Sequence, residues 1–250
     1  MTSNTKIIVA ALIGATFMFA VVCAVCVAIL FWRGRNATNA ARATQGMPAR
    51  HFDLTSRIEV TSTPDLEFGS GPFTISFWYR TTSTNQILTF ISKRASGMGD
   101  GWVIHNLPER DFYFYAAGCV STHGVAPNSR DGQWHHVAAV RSGNELTLYF
   151  DGQRSGAGMI SCDFSDNHAI RIGMDADSRK GWHFDGDMAE VHFYKRALGP
   201  EELTEEWNGG KPLTKSVSGG GLAAGYHLGE GQGASEDFSG NAHTGISIQK

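Results

Sequence analysis

Phe73-Thr74-Ile75-Ser76-Phe77-Trp78-Tyr79-Arg80 alternates without a break. Phe73, Ile75, Phe77 and Tyr79 share one face of an extended chain, and Thr74, Ser76, Trp78 and Arg80 share the other. That period of two marks a β-strand with one face in a core. The pattern recurs outward from this stretch. Trp134 to Arg141 and Glu145 to Asp151 flank Ser142-Gly143-Asn144, which predicts a hairpin. Val137 and Ala139 share a face of its first strand, and Leu146, Leu148 and Phe150 share a face of its second. Shorter strands are predicted over 52–60, 87–93, 102–106, 111–117, 169–173, 184–194 and 223–228. Gly97, Gly99, Asp100, Gly101, Pro108 and Asp151-Gly152 supply the turns between them. Only Pro200 to Trp207 reads as a helix, with proline at its start and Gly209-Gly210 after it.

Composition agrees with an all-β reading. The chain of 250 residues has 30 glycines, 11% aromatic and 18% charged residues. Its net charge is −3 and no basic stripe runs through the β region, so nucleic acid is not an expected partner. The four cysteines do not form a disulfide framework. Cys23 and Cys26 fall in an apolar run, where they act as small hydrophobes. Cys119 and Cys162 are open to two readings, a bridge or two buried thiols, because pairing needs their Cβ atoms close in space.

The first fifty residues read differently. Ile7 to Trp32 carries no charge over about 26 residues, long enough as a helix to cross a bilayer. Trp32 ends the run where an interfacial ring is expected, and no small-residue cleavage site follows. Residues 1–35 therefore form an N-terminal segment with a membrane-spanning helix at 7–32, and 36–50 a flexible polar linker. Arg33, Arg35, Arg42 and Arg50 on the C-terminal flank favour a cytosolic C-terminal side. The β domain spans 51–208, a glycine-rich loop 209–221, and a C-terminal strand segment 222–250 completes the sandwich.

Four stretches in order carry a resemblance to the laminin-G-like and pentraxin-like domains of the concanavalin A-like lectin/glucanase group. They are Phe68 to Trp78, Asp131 to Gly152, Phe184 to Tyr194 and Lys195 to Leu203. The resemblance implies a jelly-roll sandwich of two antiparallel sheets. It implies a binding module for a glycan or protein ligand, which works outside cells or in a lumen. That side of the membrane conflicts with the arginine flank, unless the domain faces the cytosol from an internal membrane or belongs to a virion. Leu222 to Gly231 and Asp237 to Gly245 resemble the segment that usually opens such a domain, yet here they close the chain. This predicts a circularly permuted sandwich, the other reading being the start of a second domain.

The resemblance also suggests chemistry. Relatives often hold Ca²⁺ on a segment like Asp237-Phe238-Ser239-Gly240-Asn241. Asp237, the Gly240 carbonyl and Asn241 would be ligands, with Glu190 or Asp187 from the sheet, since Ca²⁺ takes six to eight oxygens. The structural reading of the same residues is an Asx turn. Asp185-Gly186-Asp187-Met188-Ala189-Glu190 echoes the acid pattern of jelly-roll glucanases. In a regular strand, however, Glu190 points away from Asp185 and Asp187 unless a bulge intervenes, and no catalysis is expected. His135 and His136 point to opposite faces and cannot chelate one metal together. Trp102 and Trp182 follow glycines in expected loops, where they either stack on a ligand or pack in the core. The expectation is a membrane-held, non-catalytic binding module. The alternative is an assembly part, such as a minor capsid or surface-layer component docking on other subunits, and a glucanase is remote.

Overall fold

A computed structural model describes residues 48–84, 87–95, 100–108, 111–176, 181–211, 219–229 and 236–249. The expected membrane helix at 7–32 and nearly all of the linker lie outside these residues. Among the described residues no helix is long and apolar enough to cross a membrane. The body is a sandwich of two seven-stranded antiparallel sheets with one α-helix.

The first sheet is built on β3 (Phe73–Arg80), the strand with the strict alternation. It pairs with β8 (His135–Ser142), which pairs with β9 (Glu145–Phe150) and then β10 (Gln153–Met159). On its other side lies β12 (Asp185–Tyr194). One flank of β12 is shared end to end by two strands. β1 (Arg50–Asp53) pairs with 185–188 and β13 (Leu222–Tyr226) with 191–194. β1 thus takes in Arg50, which the sequence placed in the linker. The second sheet runs β14 (Gly245–Gln249), β2 (Ser56–Val60), β11 (Ile170–Ile172), β4 (Leu88–Arg94), β5 (Gly101–Asn106), β6 (Asp111–Ala116) and β7 (Val120–Val125).

Phe73, Ile75, Phe77 and Tyr79 all enter the core, as do Val137, Ala139, Leu146, Leu148 and Phe150. Aromatic rings bridge the two sheets: Phe77 lies 4.9 Å from Phe90 on β4, and Tyr79 4.5 Å from the same ring. Strands β7 and β10 were not foreseen, because glycine and serine interrupt their alternation. In β10 the interruption is a packing requirement. A Cβ on Gly156 would stand 2.0 Å from the His123 carbonyl oxygen, so β10 approaches β7 only with glycine there. Cys119 and Cys162 form a disulfide, which settles the open pairing and ties the β6–β7 turn to the 160–169 segment.

The tail is part of this body. Both its strands enter the sheets, β13 beside β12 and β14 beside β2. Tyr226 is fully buried and donates its hydroxyl proton to the His243 carbonyl. The C-terminal segment is therefore not the start of a second domain, because each of its strands completes a sheet already present.

Helix α1 (Pro200–Trp207) has the predicted bounds and closes the outer face of the first sheet. Leu203 packs with Ala138, Val140 and Tyr194. Beside it the helix buries a carboxylate, Glu206. That carboxylate accepts hydrogen bonds from the Ser76 hydroxyl at 3.0 Å, the Tyr194 hydroxyl at 2.5 Å and His192 Nδ1 at 3.0 Å. Burial works against the charge of Glu206, but His192 overrides it and brings the carboxyl down to about 2. Burial likewise opposes a charged His192, yet Glu206 and then Glu190 lift it to about 9. His136, tilted against Trp78 on the same face at 5.2 Å, has no such bonded partner, and burial pushes it down to about 4.

Two predictions follow from this packing. Tyr226→Ala should cost about 3–5 kcal/mol of unfolding free energy, measured by urea denaturation, because it empties a core site in the tail strand. Stability should also peak near pH 6.5. Above that value the contribution of His192 is lost as pH rises toward 9, because the folded state binds its proton more tightly than the unfolded chain. Below it, His136 and then Glu206 bind protons more readily unfolded than folded, so stability falls toward pH 4 and on toward 2. Glu206→Gln should flatten the alkaline limb of a melting-temperature profile.

Candidate functional site

Antiparallel register brings four outward side chains into one row across four strands. His51 on β1 faces Asp187 on β12, and Asp187 faces Arg80 on β3. Trp134, just before β8, lies beyond Arg80, whose guanidinium is 5.1 Å from the indole ring. Asp187 Oδ1 is 2.9 Å from His51 Nδ1, and Asp187 Oδ2 accepts from Arg80 Nε at 2.6 Å. Asp187 is 19% exposed, while Arg80 and His51 are 42% and 61% exposed, so both partners keep open edges toward solvent.

Three of the four, His51, Arg80 and Asp187, line a pocket of about 220 Å³ completed by Thr81, Thr82, Ser83, Gly132, Asp185 and Gly186. Its floor depends on one glycine. Gly186 has φ of +145°, and a Cβ there would meet the Arg80 carbonyl oxygen at 2.3 Å. A second pocket of about 350 Å³ opens nearby, with Thr84, Asn128, Arg130 and Asp131 on its wall. Its arginine is pinned: Arg130 donates to the carbonyls of Ser83 and Asn106 and to the Asn106 side chain. The smaller pocket carries the more available donors.

The calcium ligands expected from the sequence do not converge. The Asp237 carboxylate accepts from the backbone N–H groups of Gly225, Ser239 and His243 and from the Ser239 hydroxyl. Burial opposes its charge, but these four donors hold its pKa below the ordinary value. Asn241 turns its amide nitrogen to the carbonyls of Leu222 and Ala223. The Asp237–Asn241 stretch, with Gly240 at its tip, is thus an Asx-type turn that fastens the tail. Asp187 is taken by His51 and Arg80. Glu190 is 1% exposed and bonded to His227 at 2.8 Å. Among the described residues no three His, Cys, Asp or Glu side chains are grouped to hold a metal. These residues therefore do not fit a Ca²⁺ site.

The bulge that the glucanase comparison required does exist. The β12–β3 register shifts between Ala189 and His192, and Glu190 has φ of +48°. It turns Glu190 outward, but under the His227 and Phe238 rings, which stack 4.3 Å apart. Asp185 and Asp187 line the pocket and Glu190 does not, so the first and last acids of the glucanase pattern do not share a cleft there.

Of the two tryptophans, Trp102 is wholly buried and stacks on Phe114 at 5.7 Å. It belongs to the core and not to a ligand surface. Trp182 is half-buried on the outer face of the second sheet, edge-on to His105 at 5.5 Å. His105 stacks on Tyr113, and Tyr113 lies 4.4 Å from His123 and 5.7 Å from Tyr115. This aromatic strip is separate from the polar row. His135 takes the structural role expected of it, 2.9 Å from Asp151 and 3.2 Å from Asp131, while His136 faces the other way. Sequence reading missed His51, Arg80 and Trp134 as site residues. Arg80 was visible on the outer face of the alternating strand, but its partners are set by cross-strand register, with His51 and Asp187 far apart in the chain.

Comparison with known proteins places this geometry. No curated protein matches the chain. The fold is similar to a provisionally assigned carbohydrate binding protein from Bacteroides ovatus ATCC 8483, with 17% identity and a TM-score of 0.63. That likeness covers 80% of this chain, which spans 57% of the other's length. A native heptameric SAP-like pentraxin from Limulus polyphemus is 13% identical with a TM-score of 0.47, over 68% of this chain and 92% of that one. Domain 4 of AbnA, a GH43 extracellular arabinanase from Geobacillus stearothermophilus solved with arabinotriose, is 18% identical with a TM-score of 0.48, over 63% and 75%. A family model matches residues 55–204, more than half of the chain, and the protein belongs to the concanavalin A-like lectin/glucanases superfamily.

Proposed function

We propose that this protein is a non-catalytic glycan-binding module whose site is the pocket beside His51, Asp187, Arg80 and Trp134. The observation that carries the reading is Asp187 clamped between the partly exposed Arg80 guanidinium and His51 ring at the mouth of a polar pocket. Sugars present rigid pairs of hydroxyls, and a fixed carboxylate–guanidinium pair offers an acceptor and several donors at set spacing. The clamp holds both side chains in place before a ligand arrives, so little ordering entropy is lost on binding. The pocket is smaller than the roughly 300–1,000 Å³ typical of drug-sized ligands, which suits one sugar ring or a chain end. The likeness to the Bacteroides ovatus protein, described as carbohydrate binding, supports the same class of ligand.

The apolar run at 7–32 would hold the module at a membrane. The Cys119–Cys162 disulfide supports an extracellular or lumenal domain over a cytosolic one, because cytosolic thiols are kept reduced.

The full chain in detergent should bind a subset of glycans on an array, with unchanged signal in a chelator. Arg80→Ala and Asp187→Ala should each weaken that binding about tenfold or more, as expected for a lost charge-assisted hydrogen bond. Tyr113→Ala, on the other sheet, should leave it unchanged. Binding that survives Arg80→Ala and fails with Tyr113→Ala would move the site to the aromatic strip. No glycan signal, with copurification of a large particle, would favour the assembly reading.

A further inference from the structure

We propose that Lys93 and Asp166 join in an intramolecular isopeptide bond, formed without any other protein and assisted by Glu67. Three observations carry this. Lys93 projects from β4 with no exposed side-chain area, against an Asp166 side chain 4% exposed and a Glu67 side chain 15% exposed. Its Nζ donates to Glu67 Oε1 at 2.8 Å and makes a shorter contact with Asp166 Oδ1. Finally, the two oxygens of Asp166 are unequal. Oδ1 also accepts the His168 backbone N–H at 2.8 Å, whereas Oδ2 is buried with no hydrogen-bond partner among the described residues.

A buried amine–carboxylate pair costs several kcal/mol per ion in desolvation, recovered only with full hydrogen bonding, which Oδ2 lacks. Condensation removes both charges and that oxygen together. Glu67 is fixed for its part, because its Oε2 accepts the Asp166 backbone N–H at 3.1 Å and Ser62 contacts Oε1. Burial raises the Asp166 carboxyl above its ordinary value. Burial also opposes the charge on Glu67, but the hydrogen bonds it accepts, first of all from Lys93, hold its carboxyl below the ordinary value. Two carboxyls pushed apart in this way divide into a neutral electrophile and an ionised base.

The step balances within the triad. Lys93 as an ammonium passes one proton to the Asp166 carboxylate, which it contacts through Oδ1, and becomes a free amine; the proton comes to rest on Oδ2, the oxygen that bonds to nothing else among the described residues. The nitrogen lone pair attacks the Asp166 Cγ, and the negative charge that develops on Oδ1 meets the His168 N–H. Glu67 Oε1 takes a second proton from the nitrogen and delivers it to Oδ2. The Cγ–Oδ2 bond breaks and Oδ2 leaves as water. An ammonium and a carboxylate thus become one amide and one water, with no oxidant or cofactor. Fixed proximity of the reacting atoms supplies an effective concentration far above that in solution.

The bond would join β4 to the 160–169 segment, the same segment held by the Cys119–Cys162 disulfide. The test is the intact mass of the purified full chain, unfolded and with its disulfide reduced. The expected mass is lower than the sequence mass by one water, with a branched proteolytic peptide joining residues 93 and 166. Lys93→Arg, which keeps the charge, and Glu67→Gln should both return the full mass, in chains whose strand signal and oxidised disulfide report a folded domain. A wild-type chain at its sequence mass with an ordinary Lys93 peptide would overturn the proposal. Loss of water that persists in Lys93→Arg would also overturn it, because dehydration elsewhere would then be the cause. Loss that persists only in Glu67→Gln would remove Glu67 from the reaction.

Discussion

The pairing of β12 is the constraint on which the rest of the molecule depends. One flank is taken entirely by β3, and the other is divided between β1 and β13. The bulge at Glu190 lies where those two strands meet. Its positive φ is a strained conformation for glutamate, of a kind that costs about 1–3 kcal/mol and persists only when the surroundings enforce it. Here two strands and the bond to His227 enforce it. The bulge adds one residue on the outer face between Asp187 and His192. It thereby sets which side chains of β12 belong to the pocket and which to the buried cluster under α1.

Those two groups illustrate opposite uses of charge. Asp187 is partly exposed and shared by the Arg80 guanidinium and the His51 ring, which keep open edges, an arrangement suited to recognition. Glu206 is sealed against His192, Tyr194 and Ser76, where ionic groups give pH-dependent stability and a defined seat for the helix. The Lys93–Glu67–Asp166 group is of a third kind. It is buried like the second, but one carboxylate oxygen is left unpaired.

Much of the architecture was legible in single stretches of sequence. The β3 alternation named its core face residue by residue, and the bounds of α1 followed from proline and glycine at its ends. Strands β7 and β10 escaped because their glycines answer to a neighbouring strand's backbone, which local composition does not encode. The Asp237-to-Asn241 motif had two readings, calcium ligands or an Asx turn, which local sequence does not separate: here the oxygens that a cation would need face the N–H groups of β13 and the tail. Trp102 had two readings, a ligand-stacking ring and a core residue, and only the packing decides between them: β5 begins at Gly101 and carries the indole inward.

What the sequence determined by itself was the class of fold and the core face of its best strands. Period-two hydrophobicity and turn residues are local properties, and burial acts on them wherever the strand is placed. Tertiary structure alone decided that Asp187 meets His51 and Arg80, that Cys119 meets Cys162, and that Lys93 meets Asp166. Those contacts depend on register and on the packing of loops against sheets. A shift of one residue in pairing would reverse every facing in a strand without changing a letter of the sequence.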